Sequence, residues 1–388
     1  MDAASEALKK HREWQGKLET VNKMPIETAD DLSIAYTPGV AAPCLEIARD
    51  PSLSYVYTGR GHTIAVISDG SAVLGLGNIG PEAGMPVMEG KCVLFKALSG
   101  LDAVPLVLDT QDTDRLVDVI SALAPSFGGI NLEDIAAPRC FEVERRLKEQ
   151  LDIPVFHDDQ HGTAIVVSAA LENALKLAKK ENPRIVINGA GSAGCAIARL
   201  LLDRGQKDVI LVDRQGILTP DMELTSGQRA LIDRLNPSGR TGTLQDALAG
   251  ADVLIGVSAG HIVSQDMIRS MNEKPIVFAM ANPTPEIEPE DAAAAGAYII
   301  GTGRSDHPNQ INNLLAFPGI FKGALDAGAT EINDAMKQAA VSAISSCIPE
   351  EDLRPDHIIV SALTPGVADR VARAVAQAAV QSGVVRHA

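Results

Sequence analysis

The chain has 388 residues, 46% of them hydrophobic and 22% charged, which fits a folded protein of two domains and excludes a disordered one. A formal charge of −16 and an isoelectric point near 4.9 exclude a broad basic surface and the long-range attraction to nucleic acid or anionic lipid that goes with it. No apolar run is long enough to span a bilayer, and the charged start MDAASEALKKHREWQGKLET lacks the apolar core of a signal peptide.

The five cysteines, Cys44, Cys92, Cys140, Cys195 and Cys347, are odd in number and form no CxxC pair, so they read as reduced thiols in a cytoplasmic setting. Residues 4–21 have helical periodicity, with an amphipathic face that suits packing in cis or across a subunit interface. In DLSIAYTPGVAAP a helix must stop by Thr37, because Pro38 and Gly39 follow, and Tyr36 is thereby held near a turn. Thr63 to Ser68 reads as a buried strand, VLGLGNIG as a glycine-rich loop, Lys91 to Leu101 as a helix, Val104 to Leu108 as a strand and Thr113 to Leu123 as a helix.

GGINLEDIAAP reads as a break between regular elements, followed by a helix over Arg139 to Glu149 and a strand over Ile153 to Phe156. A long helix is expected to begin at Gly162 or Thr163 and run to Lys180, crossing between domains. Strands at 184–188, 208–212, 252–257, 276–280 and 298–301, with a helix to Arg204 after the first, then follow in βαβ order, and a mainly helical tail runs from 333 to 382, broken near 348–355 and Pro365. The reading is an α/β protein of two domains. Residues 1–160 form a substrate-binding, catalytic domain with a parallel sheet, and residues 161–388 a Rossmann-type, doubly wound dinucleotide-binding domain with a helical tail.

GAGSAG places Gly189, Gly191 and Gly194 in G-x-G-x-x-G spacing between an apolar strand and a helix. The first glycine permits a tight turn, the second lets a pyrophosphate approach the backbone, and the third lets helix and strand pack closely, while Ser192 and Ala193 open the helix whose N-terminus favours the anion. Asp213 closes the second strand, where an acid accepts hydrogen bonds from the adenine ribose. Its charge favours NAD over NADP, although Arg214 beside it suits a 2′-phosphate. A second G-x-G-x-x-G at Gly75, Gly77 and Gly80 meets Pro81 at once, so no helix is expected to open there; it reads as a loop whose backbone approaches a ligand or another chain segment.

Asp158 and Asp159 in FHDDQHGTA repel each other unless a cation, a lysine or a proton neutralises one of them. Alone, the pair reads as a helix cap; a second acid pair upstream, Glu133 and Asp134, turns the reading toward a divalent metal. Lys91 reads as a solvated lysine at a helix start, or as a base whose pKa desolvation draws down. Asn282, at a strand end before proline, and the pair Asn312 and Asn313 read as turn residues or as ligands in the crevice at the strand ends.

Taken together, AYTPGV, SDGSAVLGLGNIG, MEGKCVLFK, NLEDI, FHDDQHGTA, NGAGSAG, FAMANPTPE and NNLLAFPGI, in this order, resemble the malic enzyme family, in its short bacterial form, over nearly the whole chain. The resemblance implies oxidative decarboxylation of (S)-malate to pyruvate and CO2 with NAD or NADP and Mg2+ or Mn2+, in a homodimer or tetramer. By similarity, Glu133, Asp134 and Asp159 hold the metal, Lys91 is the general base, Asp158 tunes it and Tyr36 is the general acid. Asn282 and Asn313 contact malate or the nicotinamide end of the cofactor. Larger eukaryotic members carry an arginine where this chain has Ala72, so malate's remote carboxylate must be met by Ser71, by N–H groups of the glycine loop or by a neighbouring subunit. A malolactic enzyme, which retains the hydride and releases lactate, is the rival within enzymes; a dinucleotide-binding regulator without turnover is the rival outside them.

Overall fold

The structure, a computed structural model, describes residues 3–386. It opens as an arm of four helices, α1 (Ala3–Trp14), α2 (Ala29–Ala35), α3 (Ala41–Arg49) and α4 (Ser54–Tyr57). The first helix ends well before residue 21 because Gln15 and Gly16 adopt positive φ. Thr28 opens α2 with a capping box, and Tyr36 caps its other end, just ahead of Pro38. No residue of α2, α3 or α4 is buried, and Leu8, Ile34 and Leu45 stand in solvent.

A first parallel sheet follows, built from β1 (Thr63–Ser68), α5 (Pro81–Ser99), β2 (Asp102–Val107), α6 (Thr113–Leu123), β3 (Gly129–Leu132), α7 (Arg139–Gln150) and β4 (Val155–His157). Its strand order is β2-β1-β3-β4, so the chain changes direction between β1 and β3 and leaves a crevice beyond their C-terminal ends. Two expectations are corrected here. GGINL is not a break: four consecutive buried residues make it the central strand β3, too short for its period to show. A helix does open after Gly80, with Pro81 at its first position, where a missing N–H costs nothing and the fixed φ is already helical. It runs 19 residues through Pro86, so Lys91 lies on the buried face of its middle, not at its start.

The next helix, α8 (Asp158–Ala178), begins four residues before the expected Gly162, with His157 as its N-cap residue. Two acids in a first turn are favoured by the free N–H groups and the helix dipole there. This helix leads into the second sheet, comprising β5 (Arg184–Asn188), α9 (Ser192–Asp203), β6 (Asp208–Asp213), β7 (Gly216–Ile217), α10 (Ser226–Arg229), α11 (Leu244–Leu248), β8 (Val253–Gly256), α12 (Gln265–Arg269), β9 (Ile276–Ala279), α13 (Pro289–Ala294) and β10 (Ile299–Thr302). Its order is β10-β9-β8-β5-β6-β7, parallel except for the short β7, with the direction change between β5 and β8.

The chain ends in α14 (Phe317–Asp326), α15 (Asp334–Ser345) and α16 (Val367–Gln381). These helices return to the first sheet. Phe317 and Phe321 of α14 stack edge-on against Phe95 of α5 at 4.7 and 5.4 Å between ring centres, and Phe321 reaches Phe156 of β4 at 5.8 Å. One continuous hydrophobic core therefore joins both sheets. No helix among the described residues is long and apolar enough to cross a membrane.

Candidate active site

The crevice at the mouth of the first sheet collects side chains from three elements. The strand β3 ends by turning Glu133 and Asp134 outward, β4 passes directly into Asp158 and Asp159 in the first turn of α8, and α5 supplies Lys91 between them. Lys91 Nζ lies 2.5 Å from Asp158 Oδ2 and 2.9 Å from Glu133 Oε1, and 4.3 Å from the centre of the Phe317 ring. Asn313, just ahead of α14, donates its side-chain amide to the same Asp158 oxygen. Asn131 Nδ2 donates to the second Glu133 oxygen at 2.8 Å. Residues from the far end of the chain thus complete a centre begun by the first sheet.

Asp134 sits at φ +55°, an uncommon conformation for a residue with a side chain, and its N–H donates to Asp159 Oδ2 at 2.8 Å. Glu133, Asp134 and Asp159 each offer an oxygen within 4.8 Å of the others. Burial raises the pKa of all three carboxyls. Mutual repulsion adds to it, and Asp134 is pushed up to about 9. Its Oδ2 is buried without a hydrogen-bond partner. An orphaned oxygen among three crowded carboxylates fits a hard divalent cation such as Mg2+ or Mn2+, and lacks the imidazole or thiolate that zinc prefers.

Burial also draws on Lys91, but the charges of Asp158 and Glu133 outweigh it and the pKa moves up, so desolvation alone does not make this amine a base. Burial pushes Asp158 up to about 7, against the pull of Lys91. Tyr36 is not part of this cluster: it is 68% exposed on the arm. Ser71, offered as a partner for a substrate carboxylate, is already engaged, donating to Asp69 Oδ1 at 2.5 Å and accepting from Arg139 Nη2 at 2.9 Å. Arg139 also pairs with Asp69 at 2.7 Å. It is a positive charge that the sequence reading passed over, though it lies only five residues past Asp134.

At the second sheet the three fingerprint glycines do different work. Gly189 has φ +114°, and a Cβ there would come within 2.6 Å of the Val257 carbonyl oxygen; around Gly191 there is open space; a Cβ on Gly194 would run into the Gly189 carbonyl. Ser192 and Ala193 open α9, whose cap, Gly191, offers no side chain to their N–H groups. Asp213 ends β6 and accepts from the Arg214 N–H at 2.8 Å. Gln228, not singled out in the sequence, links the two parts of this cradle by donating to Ala190 O at 3.0 Å and Asp213 Oδ2 at 3.4 Å. Buried Glu286, also missed, accepts from the N–H groups of Ser258 and Ala281 at 2.8 and 3.0 Å and fixes the loops after β8 and β9.

Exposed Asn282 follows β9. There the backbone of Asn282 and Pro283 meets the glycine loop of the first sheet so closely that Gly75 has no space for a Cβ, as expected of a loop that approaches another segment.

The family models agree with this geometry. "Malic enzyme, N-terminal domain" matches residues 15–148 and "Malic enzyme, NAD binding domain" matches residues 160–380. The chain belongs to the malic enzyme family. It is 54% identical to the NAD-dependent malic enzyme of Geobacillus stearothermophilus over 96% of this chain and 78% of that one. It is 52% identical to the bifunctional malic/malolactic enzyme of Bacillus subtilis (strain 168) over 100% of this chain and 95% of that one. Among solved structures, the NAD-dependent malic enzyme from Thermotoga maritima superposes with a TM-score of 0.92 at 48% identity, covering 97% of this chain and 99% of that one. For a malic enzyme family member the two crevices have a natural division of labour, with acids and an amine on the first sheet and a dinucleotide cradle on the second.

Proposed function

We propose that this protein catalyses the NAD(P)-dependent oxidative decarboxylation of (S)-malate to pyruvate and CO2. The observation that carries the reading is Lys91 Nζ, held between Asp158 and a Glu133 that belongs to a three-carboxylate group. A bound nicotinamide cofactor would supply the hydride acceptor for C2 of malate, and Glu133, Asp134 and Asp159 would hold Mg2+ or Mn2+, which would supply a Lewis acid for the C2 oxygen.

Lys91 takes the proton from the C2 hydroxyl. It is positioned by Asp158 and kept from water by the Phe317 ring, and it becomes available as a base once Glu133's charge is taken up elsewhere. Asn313 donates to the same Asp158 oxygen as Lys91 and holds that carboxylate in place. Gly189, Gly191, Ser192, Ala193 and Gly194 receive the pyrophosphate, and Asp213 receives the adenine ribose, which supports NAD over NADP. Asn282 meets the nicotinamide end or the substrate. In this reading residues 1–160 are the substrate domain and 161–388 the dinucleotide domain.

Tyr36 supplies the proton to C3 of the enolate left by decarboxylation, and it does so in a second copy of the chain. Its exposed arm, with no buried residue in the helices on either side of it, supports a homo-oligomer, dimer or tetramer, in which the arm is covered. The unpaired cysteines support a cytoplasmic setting.

The test is a steady-state assay of the wild type and Lys91→Ala with malate, each of NAD and NADP, and Mn2+, with and without chelator. Pyruvate with reduced cofactor is the expected product. The similarity to the bifunctional Bacillus subtilis protein favours a malolactic activity as the second reading, and lactate without net reduction of cofactor would select it.

A further inference from the structure

Arg139 opens α7, where its positive charge meets the positive end of the helix dipole. What holds a cation in that unfavourable place lies outside the helix: the carboxylate of Asp69, which follows β1 and is 1% exposed. A single guanidinium nitrogen, Arg139 Nη2, donates to Asp69 Oδ2 at 2.7 Å and to Ser71 Oγ at 2.9 Å. Asp69 Oδ1 in turn accepts from the Ser71 N–H at 3.0 Å and from the Ser71 hydroxyl. Ser71 Oγ also accepts from the Ala136 N–H at 2.9 Å. That hydroxyl has used its donor and both lone pairs, so its position is fixed from three sides.

The clamp joins the turn after β1 to the turn after β3, which carries Glu133 and Asp134. The Ala72 N–H donates to the Asp134 carbonyl at 2.9 Å, so Asp134 is tied to the residue after Ser71, while Ala136, two residues on, is tied to Ser71 itself. Asp134 keeps φ +55°, a conformation that a residue with a side chain holds only where its surroundings over-determine it. The other two acids are set differently. Glu133 is held by Asn131 and by its N–H on the Ile67 carbonyl at 2.9 Å, and Asp159 by the first turn of α8. Asp134 is therefore the member of the three-carboxylate group whose direction follows from the clamp.

We propose that Arg139, acting through Asp69 and Ser71, is a positioning residue for Asp134, and that this clamp sets the affinity of the three-carboxylate group for a divalent cation. The inference rests on Glu133, Asp134 and Asp159 being the cation's ligands and extends that reading to side chains outside the ligand set. Groups that orient metal ligands without touching the metal govern its affinity in this way.

The experiment is titration of the whole protein with Mn2+, without malate or cofactor, the free ion being read by electron paramagnetic resonance. Wild type is expected to bind Mn2+ and Asp159→Asn to lose it, which tests the ligand reading by itself. Arg139→Ala and Ser71→Ala are expected to weaken Mn2+ binding about tenfold to a hundredfold. Arg139→Lys is expected to keep most of the affinity, because both contacts come from one nitrogen and an ammonium can supply it. NADH affinity, read from its fluorescence, is expected to stay at the wild-type value in all three variants. Ser71→Ala removes no charge, so it decides the question if Arg139→Ala fails to fold. Wild-type Mn2+ affinity in Arg139→Ala and Ser71→Ala overturns the proposal and leaves the ligand reading standing, and with a raised KM for malate alone it would make Arg139 a substrate contact instead. Equal losses of Mn2+ and NADH affinity also overturn it, since the clamp would then support the fold as a whole. No Mn2+ binding by wild type, or full binding by Asp159→Asn, overturns the ligand reading and this inference with it.

Discussion

The side-chain amide of Asn313 and the ammonium of Lys91 meet on one atom, Asp158 Oδ2. The first comes from the segment ahead of α14 and the second from the middle of α5, so the acid that holds the amine is itself held by a residue from the far end of the chain.

Removing that amide leaves Asp158 with one partner fewer in a buried site. Asn313→Ala is expected to lower kcat about tenfold to a hundredfold while Asn313→Gln retains part of the activity, because a positioned proton-transfer group contributes on that scale and above. Lys91→Ala is expected to lose a further factor of about ten or more and also to unfold at a lower temperature, because buried Asp158 and Glu133 lose the cation between them. Equal kcat in Asn313→Ala and wild type would separate Asn313 from catalysis.

Cation binding is expected to stabilise the fold. With Mn2+ at about 100 times its Kd the gain is about 2.7 kcal/mol, read as a rise in Tm that chelator reverses. Asp159→Asn is expected to abolish the rise without changing the Tm measured in chelator downward, since the crowded carboxylates repel each other in the ion-free protein. A full Mn2+ shift in that variant would remove Asp159 from the ligand set.

If Tyr36 serves a second copy, Tyr36→Phe and Lys91→Ala are each inactive alone but complement when mixed and allowed to exchange subunits. Random pairing into dimers restores about a quarter of wild-type activity, since half the dimers are mixed and each has one intact site. No recovery after demonstrated exchange would place Tyr36 in its own chain's site.

A methyl group at residue 75 has nowhere to go, because the carbonyl of Asn282 and the ring of Pro283 lie against Gly75. Gly75→Ala is expected to cost about 1–3 kcal/mol as the loop and the second sheet move apart, and to raise the KM for malate and cofactor together. Unchanged Tm and KM would show that the two segments part freely.

Glu144 links pH to stability. Burial opposes its ionised form, but the His161 and Lys148 contacts outweigh burial and hold the carboxyl well below its ordinary value of about 4.3. Burial likewise holds His161 down to about 3, so it stays neutral and donates its N–H. A depressed carboxyl stabilises the fold fully above the unfolded pKa, and that contribution is lost as pH falls through the lower folded value. Wild type is thus expected to lose stability below about pH 4.3 more steeply than Glu144→Gln, which starts about 3–5 kcal/mol lower at pH 7 because Lys148 is left unpaired. Parallel acid-unfolding curves would contradict this.

Local pattern carried much of the architecture. The βαβ order, the fingerprint at Gly189, Gly191 and Gly194, Asp213 at the end of its strand and the two acid pairs are all properties of short stretches, governed by period, turn chemistry and charge repulsion that act within a few residues. Where local pattern misled, two local rules competed: Pro81 reads as a breaker until it is placed at a helix N1 position, and four residues of β3 are too few to show a period. What no stretch contains is convergence. That Lys91 turns inward, that Glu133, Asp134 and Asp159 share one small volume, that Asn313 and Phe317 close the site and that Tyr36 stays outside it were decided by strand order and by one core packed across both sheets. Burial in that core makes these charges depend on one another, and burial is a property of the folded chain as a whole.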